Sequence, residues 1–477
     1  MDDSNTISRR QLMVQAGRIG AGLAAASLPA IGAVESGNRP NFLVLLTDDQ
    51  RWDAIGCAGN TIIRTPEIDR LAREGVMFEN AFVTTAICAA SRASILTGLY
   101  ERTHGFTFGT PPLRADLAAM SYPAMLKAVG YRTGLVGKFG VVVEKGGVER
   151  MFDVFKPLDR NPYFKDVPGG RRHLTDIECD EAISFLRGCR KDQPFCLSVS
   201  FNAPHAEDGD PKQYFWPETV DHLYRDATIP VPKTATQEDF EKQPEFLRNS
   251  ESRVRWRWRF DEPEKYQQMV RGYYRMISGV DAAIGRIRAE LERQGLADDT
   301  IIIFMSDNGY FLGEHGFADK WLMYEESVRI PMIILDGGRM LSRPAGSRIR
   351  QMALNVDVAP TILAAADIMV PDAMQGIALQ GLPRNDSTEG WRNSFFYEHL
   401  FNHKGIPKSE GFRTEQWAYM RYFEQKPVYE MLYDLKNDPG EENNLAGDPA
   451  RREILEKMAA SCAEFRRQYE NDRDELR

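Results

Sequence analysis

The sequence predicts an α/β fold in which a large, mixed but mostly parallel sheet is sandwiched by helices, with a small α+β subdomain at the C-terminus. Two observations carry this. Apolar runs of strand length at 42–46, 133–136, 195–201, 300–305 and 331–335 alternate with amphipathic helical stretches at 67–73, 122–129, 264–294 and 356–366. That alternation suits parallel strands joined by crossover helices on both faces of a sheet. From about residue 391 the pattern changes to short strand-like pieces at 394–398, 417–422 and 430–435, followed by a charged helix over 449–469. The domain reading is therefore a main α/β unit over 40–390, interrupted by a polar insertion at 219–263, and a C-terminal subdomain over 391–477.

The insertion contains Arg253, Arg255, Arg257 and Arg259 alternating with Val254, Trp256, Trp258 and Phe260. Period-two alternation predicts an edge strand with one cationic face. One reading is a solvated arginine face over a docked aromatic face. The sharper reading is an anionic-sugar subsite in which Arg255 and Arg257 grip sulfate or carboxylate and Trp258 meets a sugar face.

With 477 residues and 43% hydrophobic content the chain can bury a large core. Its net charge of −9 makes nucleic acid a poor partner, so an anionic substrate has to be captured by a local cluster of cations. Residues 1–33 read as an export signal, with Arg9-Arg10 ahead of a small-residue apolar stretch that ends near Ile31-Gly32-Ala33. The stretch over 19–33, broken by Pro29, is too short to span a bilayer, and no transmembrane anchor is expected. Six cysteines are present. Cys179 and Cys189 share one helical pattern (174–190), about 15 Å apart at the helical rise, too far to bridge, which argues against a disulfide framework.

The chemistry concentrates where strands end. Asp48 and Asp49 close the first apolar run, and Asp307 and Asn308 follow the run at 300–305. In a parallel sheet such residues meet in the crevice beyond the carboxyl ends of the strands. Their oxygens suit calcium or magnesium rather than zinc. Between them lies Cys88-Ala-Ala-Ser-Arg92-Ala-Ser-Ile-Leu-Thr97-Gly98. A helix starting near Cys88 places Arg92 one turn on, beside the thiol, and its free N–H groups favour an anion.

These residues resemble the type I sulfatases of the alkaline phosphatase superfamily. The resemblance runs from Pro40-Asn41-Phe42 through Lys320-Trp321 to Tyr433-Asp434-Leu435-Lys436-Asn437-Asp438-Pro439-Gly440-Glu441. It implies that Cys88 is converted by a maturation enzyme to formylglycine, whose hydrated form is the nucleophile. It implies one calcium ion on Asp48, Asp49, Asp307, Asn308 and residue 88. It further implies that Arg92, Lys138 and Lys320 bind the sulfate, and that His205 hydrogen-bonds the bridging oxygen and protonates the leaving alcohol.

Two departures stand out. Ala90 occupies the usual proline position of C-x-P-x-R, a minority form in the family, and Gly140 replaces the histidine expected two residues after Lys138. His104 or His315 could replace that base, and both could equally be structural.

The resemblance implies hydrolysis of sulfate esters, on a sulfated carbohydrate as partner, in a periplasmic or secreted protein exported by the twin-arginine machinery. Among the arguments for a sugar is the stretch from Gly313 to Ser327, including His315, which resembles the glycosaminoglycan-sulfatase branch. Two alternatives remain open at this level: a phosphate or phosphonate ester hydrolase, and a non-catalytic sulfated-glycan binder that keeps its thiol.

Overall fold

The computed structural model describes residues 39–384 and 387–477, so the predicted export segment lies outside the described residues. Eight strands form the main sheet: β1 (Asn41–Asp48), β2 (Val76–Phe78), β3 (Arg132–Gly137), β4 (Val154–Pro157), β5 (Phe195–Pro204), β6 (Thr300–Ser306), β7 (Met332–Leu335) and β8 (Ser347–Ile349). Their order is β8-β2-β7-β6-β1-β5-β3-β4. The run from β6 to β4 is parallel throughout, while β7 is antiparallel to both of its neighbours. All five strand-length runs read from the sequence lie in this sheet. The short strands β2, β4 and β8, of three or four residues, are too short to display a period.

Both faces of the sheet are buried, which is why its central strands are apolar without a break. Phe42, Val44, Ile301, Ile303 and Met305 point to one face, over α2 (Cys88–Thr97), α3 (Tyr122–Ala128) and α7 (Val358–Ala365). Leu43, Leu45, Ile302, Phe304, Leu197 and Val199 point to the other, over α1 (Pro66–Glu74), α4 (Leu174–Arg187) and α6 (Pro263–Gln294). Each such side chain contributes ~1.5–3 kcal/mol when fully buried. The long α6 begins on a proline, whose missing N–H costs nothing there, and stops where Gly295 turns left-handed at φ 65°.

The C-terminal subdomain is a four-stranded antiparallel meander, β9 (Ser394–His399), β10 (Ser409–Thr414), β11 (Trp417–Tyr422) and β12 (Tyr429–Asp434), backed by α8 (Arg452–Glu475). Its β9 to β10 connection carries Phe401 and Ile406 onto Ile87, Ala90 and Trp321 of the main domain. All six cysteines are free. Among the described residues no helix is long and apolar enough to cross a membrane.

One element differs from expectation. Residues 253–260 are not an edge strand, because Glu251–Arg259 form a helix, α5. The period-two alternation of arginine and aromatic residues loses to contacts at helical spacing. Arg255 pairs with Glu251 one turn back at 2.7 Å, and Arg255 and Arg259, also four apart, both reach Asp208.

Beneath the carboxyl ends of the strands, Glu178 of α4 is fully buried and accepts hydrogen bonds from the N–H and the Nδ2 of Asn202. Burial pushes its pKa up to about 8. An acid whose folded-state pKa exceeds its unfolded value keeps a proton the unfolded chain has released, so its contribution to stability falls as pH rises from about 4.5 to 8. Glu178→Gln removes that titration. Urea unfolding measured from pH 5 to 8.5 should show a shallower decline in the variant than in the wild type, by up to roughly 1.4 kcal/mol per pH unit. Parallel declines would disprove this assignment of the proton.

Candidate active site

Four adjacent strands, β6, β1, β5 and β3, deliver their carboxyl ends to one point. The parallel register sets Thr47 beside Ser306, so Asp48 and Asp49 emerge next to Asp307 and Asn308. Asp48 also aligns with Pro204, which brings His205 to the same place, and Lys138 follows the end of β3. At that end Gly137 has φ 94°, and a Cβ there would lie 2.1 Å from the Ser200 carbonyl oxygen. Only glycine allows this close approach, which aims Lys138 at the acids.

Asp48, Asp49 and Asp307 are all completely buried. Asp49 sits in the left-handed region at φ 67°, a conformation aspartate tolerates better than most residues. Its N–H donates to Asp307 Oδ1 at 3.2 Å, and Asn308 Nδ2 donates to Asp49 Oδ1 at 2.7 Å. Lys320 Nζ reaches both Asp49 oxygens at 2.6 Å, and Lys138 Nζ binds Asp48 Oδ2. Arg92 Nε donates to Asp307 Oδ2 at 2.7 Å, while its Nη1 donates to the Lys138 carbonyl at 2.6 Å and to Ser200 Oγ. His205 Nε2 lies 3.4 Å from Asp49 Oδ2.

Cys88 opens α2 and is 5% exposed. It stands close enough to Arg92 and Lys320 to interact electrostatically with both.

The electrostatics follow from burial set against three carboxylates and three cations. Burial raises Asp48, but Lys138, Arg92 and Lys320 outweigh it and hold its pKa at about 2. Burial also raises Asp49, and although Lys320 opposes this, Asp48 and Asp307 add to it, leaving Asp49 at about 7. Burial disfavours a charged Lys320, yet Asp49, Cys88 and Asp319 keep its pKa above the ordinary value. His205 is driven well below the ordinary histidine range by burial and then by Arg160, Lys320 and Lys138.

The site has the donors for an oxygen-loving cation. Asp48 Oδ1 and Asn308 Oδ1 are buried acceptors without a partner. Buried acceptors of that kind require one, and a divalent ion among Asp48, Asp49, Asp307 and Asn308 would satisfy them. Asp48, Asp49 and His205 also present ligand atoms within 4.8 Å of one another. Arg92 Nη2, a buried donor without a partner, is available to an anion.

Several expected residues stand elsewhere. His104 is not a free base: Ser94 Oγ lies 3.1 Å from its Nε2, and its Nδ1 accepts the Phe106 N–H at 3.1 Å. Burial lowers its pKa to about 3. His315 also stands away from the acids of the site: it packs on Tyr324 with ring centroids 4.7 Å apart, and its charged neighbours are Asp239, Asp438 and Lys242. Arg255 is consumed by internal ion pairs with Asp208 at 2.6 Å and Glu251 at 2.7 Å, so it is not a free sugar-binding fork. Arg257 and Trp258 remain exposed on α5. Of the seven histidines, only His205 has a described contact to the acids.

Three participants escaped sequence reasoning. Ser200 lies on β5 beneath Arg92, Arg160 contacts His205 Nδ1, and Asp208 receives Arg160, Arg255 and Arg259. Arg160 sits in an irregular segment without periodicity, so no pattern could have singled it out. Asp208 answers the need for an acid that the arginine run signals.

Fold and site together define a hydrolase of the α/β class that works at the carboxyl edge of a parallel sheet. The family profile described as Sulfatase matches residues 40–368, and that described as N-sulphoglucosamine sulphohydrolase, C-terminal, matches 313–468. The chain belongs to the sulfatase family, within the alkaline phosphatase superfamily, and it is a sulfuric ester hydrolase.

An N-acetylglucosamine-6-O-sulfatase of Bacteroides thetaiotaomicron is 30% identical, with 92% of this chain and 89% of that protein covered. A multifunctional alkaline phosphatase superfamily protein of Trinickia caryophylli is 27% identical, covering 90% and 95%. Among solved structures, one in complex with its substrate D-glucosamine-2-N,6-O-disulfate superposes with a TM-score of 0.80 at 27% identity, covering 91% of this chain and 99% of that one. The phosphonate monoester hydrolase of Agrobacterium radiobacter shares the fold, with a TM-score of 0.73 at 22% identity and coverage of 90% and 96%.

Gly140 has φ 71°, and a Cβ there would lie 3.0 Å from Arg92 Cδ. A histidine at this position in this chain is therefore strained and presses on Arg92. Gly140→His should lower stability by about 1–2 kcal/mol in urea unfolding and reduce turnover rather than improve it. A gain in turnover with unchanged stability would refute this account.

Proposed function

We propose that the enzyme hydrolyses sulfate esters of a sulfated carbohydrate, using an oxygen nucleophile made from Cys88. The observation that carries the reading is that buried acceptors without partners, Asp48 Oδ1 and Asn308 Oδ1, share one site with the unsatisfied guanidinium nitrogen of Arg92, which stands on the helix that Cys88 opens. Acceptors fit a cation, the donor fits a sulfate oxygen, and Cys88 opens the helix that carries Arg92 one turn further on.

Formylglycine at position 88 would supply a hydrated aldehyde oxygen as nucleophile, and calcium on Asp48, Asp49, Asp307 and Asn308 would supply Lewis acidity. Arg92, Lys138 and Lys320 bind sulfate oxygens and offset the charge that develops on them. Lys138 and Lys320 also neutralise the acids, so the buried site carries three cations against three carboxylates before any ion or substrate enters. His205 faces the leaving oxygen with its Nε2.

A sugar substrate is supported by the relatives: one is named for N-acetylglucosamine 6-O-sulfate and another holds a sulfated glucosamine. Export by the twin-arginine route to the periplasm or beyond remains part of the reading and rests on residues 1–33.

The tryptic peptide 74–92, from protein made in its natural host, decides the nucleophile. Its mass should show the thiol of Cys88 replaced by an aldehyde. An intact thiol would favour the sulfated-glycan binder instead.

Ester choice is tested because two phosphonate monoester hydrolases share the fold and Gly140 departs from the sulfatase pattern. Matched sulfate and phosphate esters of one alcohol should give a kcat/KM at least about tenfold higher for the sulfate, and the reverse order would establish the phosphohydrolase reading. Chelation should abolish turnover and lower Tm, with calcium restoring both.

A further inference from the structure

His205 Nδ1 has two neighbours that ask for opposite protonation. The Ala206 carbonyl oxygen lies 2.8 Å away and can only accept a hydrogen bond. Arg160 Nη1 lies in contact with the same nitrogen and can only donate. An N–H on Nδ1, aimed at Ala206, would meet the hydrogens of the guanidinium.

The guanidinium is not free to turn away. Its Nη2 pairs with Asp208 at 3.3 Å and its Nε donates to Asn161 Oδ1 at 3.0 Å. Asp208 is itself fixed by Arg255 Nη1 and Arg259 Nη2, each at 2.6 Å from its Oδ1. Arg259, wholly buried, also pairs with Asp319 at 3.0 Å, one residue before Lys320. The backbone of His205 is held as well, since Tyr163 OH donates to its carbonyl at 2.6 Å.

We infer that Arg160 is a positioning residue that fixes His205 as the neutral tautomer with its hydrogen on Nε2. The tautomer of a histidine is set by the bond its other nitrogen makes, and here that partner is a donor anchored through Asp208 to α5.

Two consequences follow, both resting on the sulfatase reading above. His205 keeps its proton and offers the leaving oxygen a hydrogen bond, as an electrophilic donor rather than an imidazolium acid. The lone pair of Nε2 is unavailable to a metal, so the grouping of Asp48, Asp49 and His205 is not a ligand set and the cation is held by oxygen alone.

The test uses metal-loaded protein labelled with 15N-histidine, with His205 assigned through the signal lost in His205→Asn. Long-range 15N–1H correlation spectra should show hydrogen on Nε2 and none on Nδ1 in the wild type. Arg160→Met should move the hydrogen to Nδ1, toward Ala206, and Arg160→Lys should keep the wild-type pattern. Arg255 and Arg259 still satisfy Asp208 in these variants, so that acid is not left unpaired.

In kinetics, Arg160→Met should lower kcat for a sugar 6-sulfate by at least about tenfold with KM within about twofold, and spare 4-nitrophenyl sulfate, whose leaving group needs little help. A wild-type hydrogen on Nδ1, or the same tautomer with and without Arg160, overturns the inference. A raised KM with unchanged kcat also overturns it, since Arg160 would then be a substrate contact. Absence of sulfatase turnover in the wild type would instead count against the proposed function, and the spectra would still report the tautomer.

Discussion

Three carboxylates without solvent stand side by side at the ends of two neighbouring strands, and the surroundings are organised to make that tolerable. Burying an unpaired charge costs several kcal/mol, so each acid has to find a cation or a hydrogen bond within the protein. Arg92 from α2, Lys138 from the end of β3 and Lys320 from the loop before Trp321 answer that demand, and each arrives from a different part of the chain. The cost of the acids is thereby converted into long-range ties that knit the carboxyl edge of the sheet together. It also explains the glycine at 137, where any side chain would hold Lys138 away from its partner.

The same logic extends outward through α5. Arg259 is a buried cation whose partners, Asp208 and Asp319, stand three residues after His205 and one before Lys320. An insertion that looks like decoration on the domain is thus wedged behind two groups of the site. A helix performs this better than a strand, because one helical face can send two guanidinium groups four residues apart to the same acid. The C-terminal subdomain adds a second brace by laying Phe401 and Ile406 across the residues flanking Cys88.

Much of the fold was legible because the central strands are long, apolar and bounded by turns, and because α6 carries a helical period over 32 residues. The acids were legible for a related reason: strand ends in a parallel sheet gather polar residues, and Asp48-Asp49 and Asp307-Asn308 terminate two of the clearest runs. Short strands such as β2 and β8 were not, since three residues cannot display a period. The arginine run 253–259 was misread for the opposite reason, because its alternation was clear yet tertiary ion pairs decided the conformation. His104 and His315 illustrate a further limit. Proximity in sequence to a motif placed them near the site in expectation, whereas their ring environments, Ser94 and Phe106 for one and Tyr324 for the other, are visible only in three dimensions.

The concealment of Cys88 sets an order of events. Its side chain is 5% exposed at the start of a helix whose ten residues are all buried, under the brace of the C-terminal subdomain. A second enzyme that must grasp the backbone around residue 88 finds nothing to hold once α2 has docked. Any covalent remodelling of that residue therefore belongs to the life of the chain before it closes, when 88–92 is still an extended peptide. Rapid docking of α2 would shorten the interval in which it can happen, so the folding rate of the N-terminal half would govern the extent of any such change.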